Sequence, residues 1–215
     1  MKITEQEFKE NSIVLSMVGG SRVSDFRAHF GYNPTVLYGL NTADKFERLQ
    51  YKYDGNKITP EIYHYINNLT GTLGCHMQHY YAIHMAFALG KEFIVIMEDD
   101  VFPIEKFETL SKAVEELPED FDCFNFGWIP SIVLKERCRT PKDFSTRLYV
   151  GDGMECSGAF GYMLSRSGIQ KALSILSDVR VPTDFQFKFM KSYYMKTPYL
   201  GHPPANGFSR IRNLK

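Results

Sequence analysis

Neither sign of charge is in surplus, 25 Lys and Arg standing against 25 Asp and Glu. Sequence-independent binding to nucleic acid rests on excess positive charge, so nucleic acid is not an expected partner, and the same balance argues against a polybasic membrane anchor. No apolar run approaches the ~20 residues of a membrane-spanning helix, so no membrane span is expected. Cysteine is sparse. Cys75, Cys123, Cys138 and Cys156 lie far apart without a CxxC pair, which argues against a disulfide framework and for thiols in a reducing compartment. Met1 to Glu10 is charged and lacks the apolar stretch of a signal peptide, so the expected location is the cytoplasm of a bacterium or of a virus-infected cell. The phosphate loops GxGxxG and GxxxxGKS/T, the zinc-protease pattern HExxH and the serine-hydrolase elbow GxSxG are all absent.

What is present is the composition of an ordinary folded domain: 215 residues, 44% apolar and 23% charged, expected as a single domain over 1–215. Aromatic residues reach 14%, enough to fill a core or to line a sugar site. Ser12 to Met17 is β-branched and apolar and reads as a first strand, followed by a Gly19-Gly20 turn. Arg22 to Phe30 reads as a short helix, Thr35 to Tyr38 as a strand, and Thr59 to Asn68 as a helix opening on Pro60. From Thr72 to Leu89 apolar residues recur at helical spacing, and Gly90 closes the run as a C-cap. Phe93 to Met97 is continuously apolar, as a buried central strand would be. Phe107 to Glu116 reads as a helix, Phe121 to Phe126 as a strand, Pro130 to Pro141 as a loop, Ser157 to Leu164 as a strand, and Ser165 to Leu176 as a helix. The stretch 188–215 reads as irregular. This alternation predicts an α/β domain with a mainly parallel or mixed central sheet flanked by helices.

In such sheets ligands bind beyond the carboxyl ends of the strands. The strand 93–97 runs directly into Glu98, Asp99 and Asp100. Three successive acids repel one another and need compensation by cations, backbone donors or water. Two readings follow: a site for a hard divalent cation, Mn²⁺ or Mg²⁺, or a solvated acidic turn. His76 and His79 lie three residues apart with Cys75 beside them, but a zinc site needs a further ligand that the spacing does not supply.

The segment Gly71 to His79 (GTLGCHMQH), the helix after it and Phe93 to Pro103 (FIVIMEDDVFP) resemble glycosyltransferase family 25, which includes lipopolysaccharide-type and collagen-type galactosyltransferases. Gln78 stands where that family usually has Ser, and His79 is kept. Ser157 to Ser165 (SGAFGYMLS) and the later Val181 to Asp184 (VPTD) are similar to further family elements, so the resemblance spans about 12–187. It implies a GT-A-like, Rossmann-like domain that moves a hexose from a nucleotide sugar, UDP-linked by expectation, to a glycan or glycoconjugate hydroxyl with inversion. The acidic triplet then stands for that fold's Asp-x-Asp motif. Metal ligation falls to Asp100, Glu98 and His202. Donor contacts fall to Ser16, Arg22, Glu98, Asp99 and His79. The general base is Asp184, with Glu155 in reserve. The competing readings are a GT-A-like domain that binds a nucleotide or glycan without transfer, and a phosphoryl-transfer domain. The last fits poorly, because Glu98 occupies the position where a phosphatase needs a nucleophilic Asp.

Overall fold

A computed structural model describes residues 1–17, 22–39, 70–128, 142–151, 160–177 and 183–203. The Gly19-Gly20 turn, the expected helix 59–68, the loop 130–141, Cys138, Cys156 and Glu155 lie outside the described residues, as do residues 157–159 of the expected strand 157–164. In chain order the described elements are α1 (Glu5–Glu10), β1 (Ser12–Met17), α2 (Arg22–Phe30), β2 (Thr35–Gly39), α3 (Thr70–Ala88), β3 (Phe93–Glu98), β4 (Phe102–Pro103) and α4 (Phe107–Glu115). There follow β5 (Cys123–Gly127), β6 (Lys142–Asp143), β7 (Leu148–Val150), β8 (Gly161–Ser165), α5 (Arg166–Leu176), α6 (Thr183–Gln186), a 3₁₀ turn (Phe187–Phe189), β9 (Ser192–Met195) and β10 (Leu200–Gly201).

Among the described residues, eight strands form one mixed sheet in the order β2-β1-β3-β8-β5-β9-β7-β6. β1 runs parallel to both β2 and β3, so the carboxyl ends of these three strands meet at one edge. β8 runs antiparallel between β3 and β5, and its first residue, Gly161, lies opposite Met97. Both faces of the central strands are buried, which is why 93–97 is apolar without alternation. Val14, Val95 and Met97 pack with Phe8, Phe26, Leu110 and Val114 on one side. Ile13, Leu15, Ile94 and Ile96 pack with Ile83, Ala86, Ile169 and Ala172 of α3 and α5 on the other. The result is an α/β domain with helices on both faces of its sheet.

The irregular reading of 188–215 is corrected by β9 and β10. β9 is fully buried between β5 and β7. Four residues are too few to show a period, so only pairing with its neighbours makes this strand. α1 is a further element beyond those expected, although its signal is present in the sequence. Thr4 and Glu7 form a reciprocal capping box, the Thr4 hydroxyl accepting from Glu7 N at 3.1 Å and the Glu7 carboxylate accepting from Thr4 N at 2.8 Å. Gly90 adopts a φ of 63°, as a C-cap glycine does.

α5 starts at Ser165, whose Oγ accepts from Gly168 N at 3.1 Å. This start lies hard against the chain before β5, and a Cβ on Gly168 would stand 1.9 Å from the Asp122 carbonyl oxygen. Replacing a helical glycine by alanine ordinarily stabilises by ~1 kcal/mol. Here the obstruction is backbone, so Gly168→Ala is expected to destabilise by about 2–3 kcal/mol instead. Urea unfolding decides the sign.

Candidate active site

The end of β3 is held from several sides. Ser16, buried on β1, donates its hydroxyl hydrogen to Asp99 Oδ2 at 2.7 Å. Arg22, from the first turn of α2, places Nη1 2.6 Å from Asp100 Oδ2 and 3.5 Å from Asp99 Oδ1. His202 presents Nε2 3.3 Å from Asp100 Oδ1. Its arrival depends on a two-stranded ribbon. β10 pairs antiparallel with β4, Gly201 opposite Phe102, and so delivers the next residue to the triplet. The His202 ring also packs on Phe160, with centroids 5.1 Å apart.

The charges are unevenly compensated. Burial pushes the Asp99 carboxyl above the usual carboxylate range; the Ser16 hydrogen bond and Arg22 offset only part of this, and the neighbouring Asp100 adds to it. Burial opposes the charge on Asp100 too, but His202 and Arg22 outweigh it and hold this carboxyl below its ordinary value. Asp100 raises the imidazole of His202 in return, against the effect of burial. Asp100 Oδ1 is buried and faces His202 across the 3.3 Å ion pair, with no well-aligned hydrogen bond. A buried carboxylate oxygen held so loosely suits a cation. Glu98, Asp100 and His202 each offer one ligand atom, and these atoms all lie within 4.8 Å of one another. Two carboxylates and an imidazole are a fitting donor set for Mn²⁺ or Mg²⁺.

A second group lies beneath the triplet. His79 on α3 is 1% exposed and shares a 2.7 Å hydrogen bond between Nδ1 and the Tyr162 hydroxyl, while Nε2 faces Glu98 Oε1 at 3.9 Å. A hydrogen on Nε2 suits the carboxylate ahead of it, which leaves Nδ1 to accept from Tyr162. Burial, with a smaller effect of His76, lowers the His79 pKa to about 3. His76 turns away, its ring nitrogens engaged by the Leu176 carbonyl and the Thr183 hydroxyl. Gln78, at the position of the family's usual Ser, donates from Nε2 to the carbonyls of Ser16 at 2.7 Å and Leu37 at 3.3 Å, which clasps β1 to β2. Gly39 makes room for it, since a Cβ there would stand 2.1 Å from Gln78 Cδ.

The structure thus brings together Ser16, Arg22, His79, Glu98, Asp99, Asp100 and His202. Asp184 lies in α6, next to the Thr183 that bonds His76, and its side chain is outside the described residues. Glu155 is outside them entirely. Tyr162 and Gln78 are additions that the sequence does not mark as site residues. The hydroxyl of an apolar-strand Tyr gives no signal of its target, and Gln78 shows itself only as a departure from a pattern.

The sequence profile of glycosyltransferase family 25 (LPS biosynthesis protein) matches residues 40–187, well over half of the chain. The chain belongs to glycosyltransferase family 25. It is a glycosyltransferase, with the α/β fold that the family resemblance implies. The family match includes His79 and the acidic triplet, whereas Ser16 and Arg22 precede it and His202 follows it. No curated protein matches the chain in sequence. Among solved structures, A197 from STIV is similar over 90% of this chain and 85% of its own, at 15% identity and a TM-score of 0.49. A glycosyltransferase involved in the glycosylation of the major capsid of PBCV-1 is similar over 77% of this chain and 64% of its own, at 8% identity and a TM-score of 0.38. Mannose-1-phosphate geranyltransferase from Thermus thermophilus is similar over 90% of this chain and 76% of its own, at 9% identity and a TM-score of 0.45. Likenesses this distant carry no functional weight. Among the described residues of this family 25 chain, no helix is long and apolar enough to cross a membrane.

Proposed function

We propose that the chain transfers a hexose from a UDP-sugar to a hydroxyl of a glycan or glycoconjugate, with inversion, and requires Mn²⁺ or Mg²⁺. The observation that carries this reading is the convergence of Glu98, Asp100 and His202 around the buried Asp100 Oδ1 at the carboxyl edge of the sheet. These three residues would hold the cation, and when bound it neutralises the negative charge that develops on a departing diphosphate. Arg22 fixes the Asp99–Asp100 pair through Nη1, and its guanidinium has further N–H donors for diphosphate oxygens. Ser16 and Asp99 hold Arg22 and the end of β3 from within. Neutral His79, steadied by Tyr162, keeps Glu98 at the mouth of the site. Asp184 is the proposed base for the acceptor hydroxyl, with Glu155 as the alternative.

Thermal unfolding with nucleoside diphosphates and nucleotide sugars, each with Mn²⁺ or with EDTA, tests the donor site. A ligand held only by the folded chain at 100 times its dissociation constant adds about 2.7 kcal/mol of stability. The expected result is stabilisation by uridine nucleotides that EDTA abolishes. A folded protein that responds to none of them overturns the reading. Asp184→Asn is expected to lower kcat about 10²-fold while leaving the UDP and Mn²⁺ shift intact. Loss of that shift would place Asp184 in binding instead of proton transfer.

A further inference from the structure

Cys75, His79 and Glu98 form a second convergent group. Cys75 and His79 are four residues apart on α3, a spacing that puts both on one helical face, as in other helical ligand pairs. Glu98 reaches the same point from the end of β3. One ligand atom from each of the three lies within 4.8 Å of the others. A tetrahedral zinc site, with bonds of about 2.0–2.3 Å, needs its ligand atoms about 3.3–3.8 Å apart. His79 Nε2 and Glu98 Oε1 already stand at 3.9 Å. The Tyr162 hydroxyl at Nδ1 fixes the ring so that Nε2 points into the group; with zinc on Nε2 the ring hydrogen moves to Nδ1 and is donated to the Tyr162 oxygen, the arrangement by which metal-binding histidines are oriented. The Glu98 side chain is 31% exposed, which leaves an open side for entry and for water as a fourth ligand. The sequence places His76 beside this pair, but His76 is engaged by Leu176 and Thr183, and Glu98 takes its place.

We propose that Cys75, His79 and Glu98 are a zinc site, distinct from the Glu98–Asp100–His202 set and sharing only Glu98 with it. A thiolate and an imidazole select Zn²⁺, whereas the oxygen-rich set beside it suits a harder ion. Because one carboxylate serves both, Zn²⁺ at Cys75 withdraws Glu98 from the neighbouring set and opposes cation binding there. This last consequence rests on the proposed function; the zinc site itself does not.

Cobalt(II), added to the metal-stripped and reduced protein, is the probe. Thiolate ligation gives a sulfur-to-cobalt charge-transfer band in the near ultraviolet. The band is expected in the unsubstituted protein and in Asp100→Asn, and is expected to vanish in Cys75→Ser. No band from a folded protein, a band that persists in Cys75→Ser, or a band lost in Asp100→Asn each overturns the proposal. If Cys75→Ser does not fold, the unsubstituted protein still decides. Zn²⁺ is expected to slow alkylation of Cys75 by iodoacetamide at least tenfold, read by peptide mass spectrometry, and an unchanged rate overturns the site. For the coupling, Zn²⁺ is expected to weaken Mn²⁺ binding, followed by the Mn²⁺ paramagnetic resonance signal, about tenfold in the unsubstituted protein and far less in Cys75→Ser. Equal weakening in both overturns the coupling alone.

Discussion

Asp100→Asn is expected to reduce kcat/KM by about 10³-fold, or about 4 kcal/mol of transition-state stabilisation, with the fold intact. The substitution keeps the size of the side chain but removes the charge that Arg22 and His202 converge on. It also replaces one anionic oxygen of the donor set by an amide nitrogen, which cannot ligate a hard cation. Mn²⁺ binding should be lost together with turnover, and the Mn²⁺-dependent stabilisation by uridine nucleotides with both. His202→Ala tests the same point from the other side of the site and should weaken Mn²⁺ binding less, since two carboxylates remain. Measurement needs kinetics with the donor that stabilises the protein, Mn²⁺ titration and a melting curve for each variant. Full activity in a folded Asp100→Asn protein would remove Asp100 from the chemistry.

Acid should unfold the protein early, and His79 should account for much of it. Its pKa falls from the ordinary 6.5 to about 3 in the folded chain, because burial disfavours the imidazolium. Below pH 6.5 the unfolded chain takes up a proton here that the folded chain refuses. The unfolded state then binds more protons, so stability falls as the pH falls, from about 6.5 down to the folded value near 3. The slope is about 1.4 kcal/mol per pH unit, a total of about 4–5 kcal/mol across that window, comparable to the whole stability of many domains. His79→Gln removes the titrating group. Urea unfolding in EDTA at several pH values between about 7.5 and 4.5 should therefore give a flatter profile for the variant, the two curves diverging by about 1.4 kcal/mol per unit below about 6.5. Parallel profiles would mean that the folded chain accepts the proton at His79. The variant should start from lower stability at neutral pH, because it loses the close fit of the imidazole against Tyr162, where the ring centroids lie 5.6 Å apart.

Elements whose pattern is local were legible in the sequence. β3 announced itself as a buried strand because both of its faces are covered, and α5 announced its start through Ser165. The start of α1 is written just as locally, in Thr4 and Glu7, but six residues give too little helical period to stand out beside that cap. β9 was not legible, since its Ser-Tyr-Tyr-Met run becomes a strand only when β5 and β7 flank it. Within the site, the acidic triplet was visible as chemistry that a buried strand would not carry without a purpose. Tyr162 was invisible, because its role is a single hydrogen bond to a residue 83 positions away.

The sequence by itself determined that this is an α/β domain and that its motifs are those of a glycosyltransferase family, and it marked Glu98, Asp99 and Asp100 at the end of a buried strand as the candidate site. Those properties are written in neighbouring residues, through periodicity and spacing. The tertiary structure alone decided which distant groups complete the site. The parallel pairing of β1 with β3 puts Ser16 against Asp99. The β4–β10 ribbon carries His202 to Asp100 from far along the chain, and the turn of α3 gives Glu98 to Cys75 and His79 while directing His76 elsewhere. Hydrogen bonds and ion pairs act over a few ångströms of space, and only the pairing of strands and the packing of helices converts positions far apart in the chain into such distances.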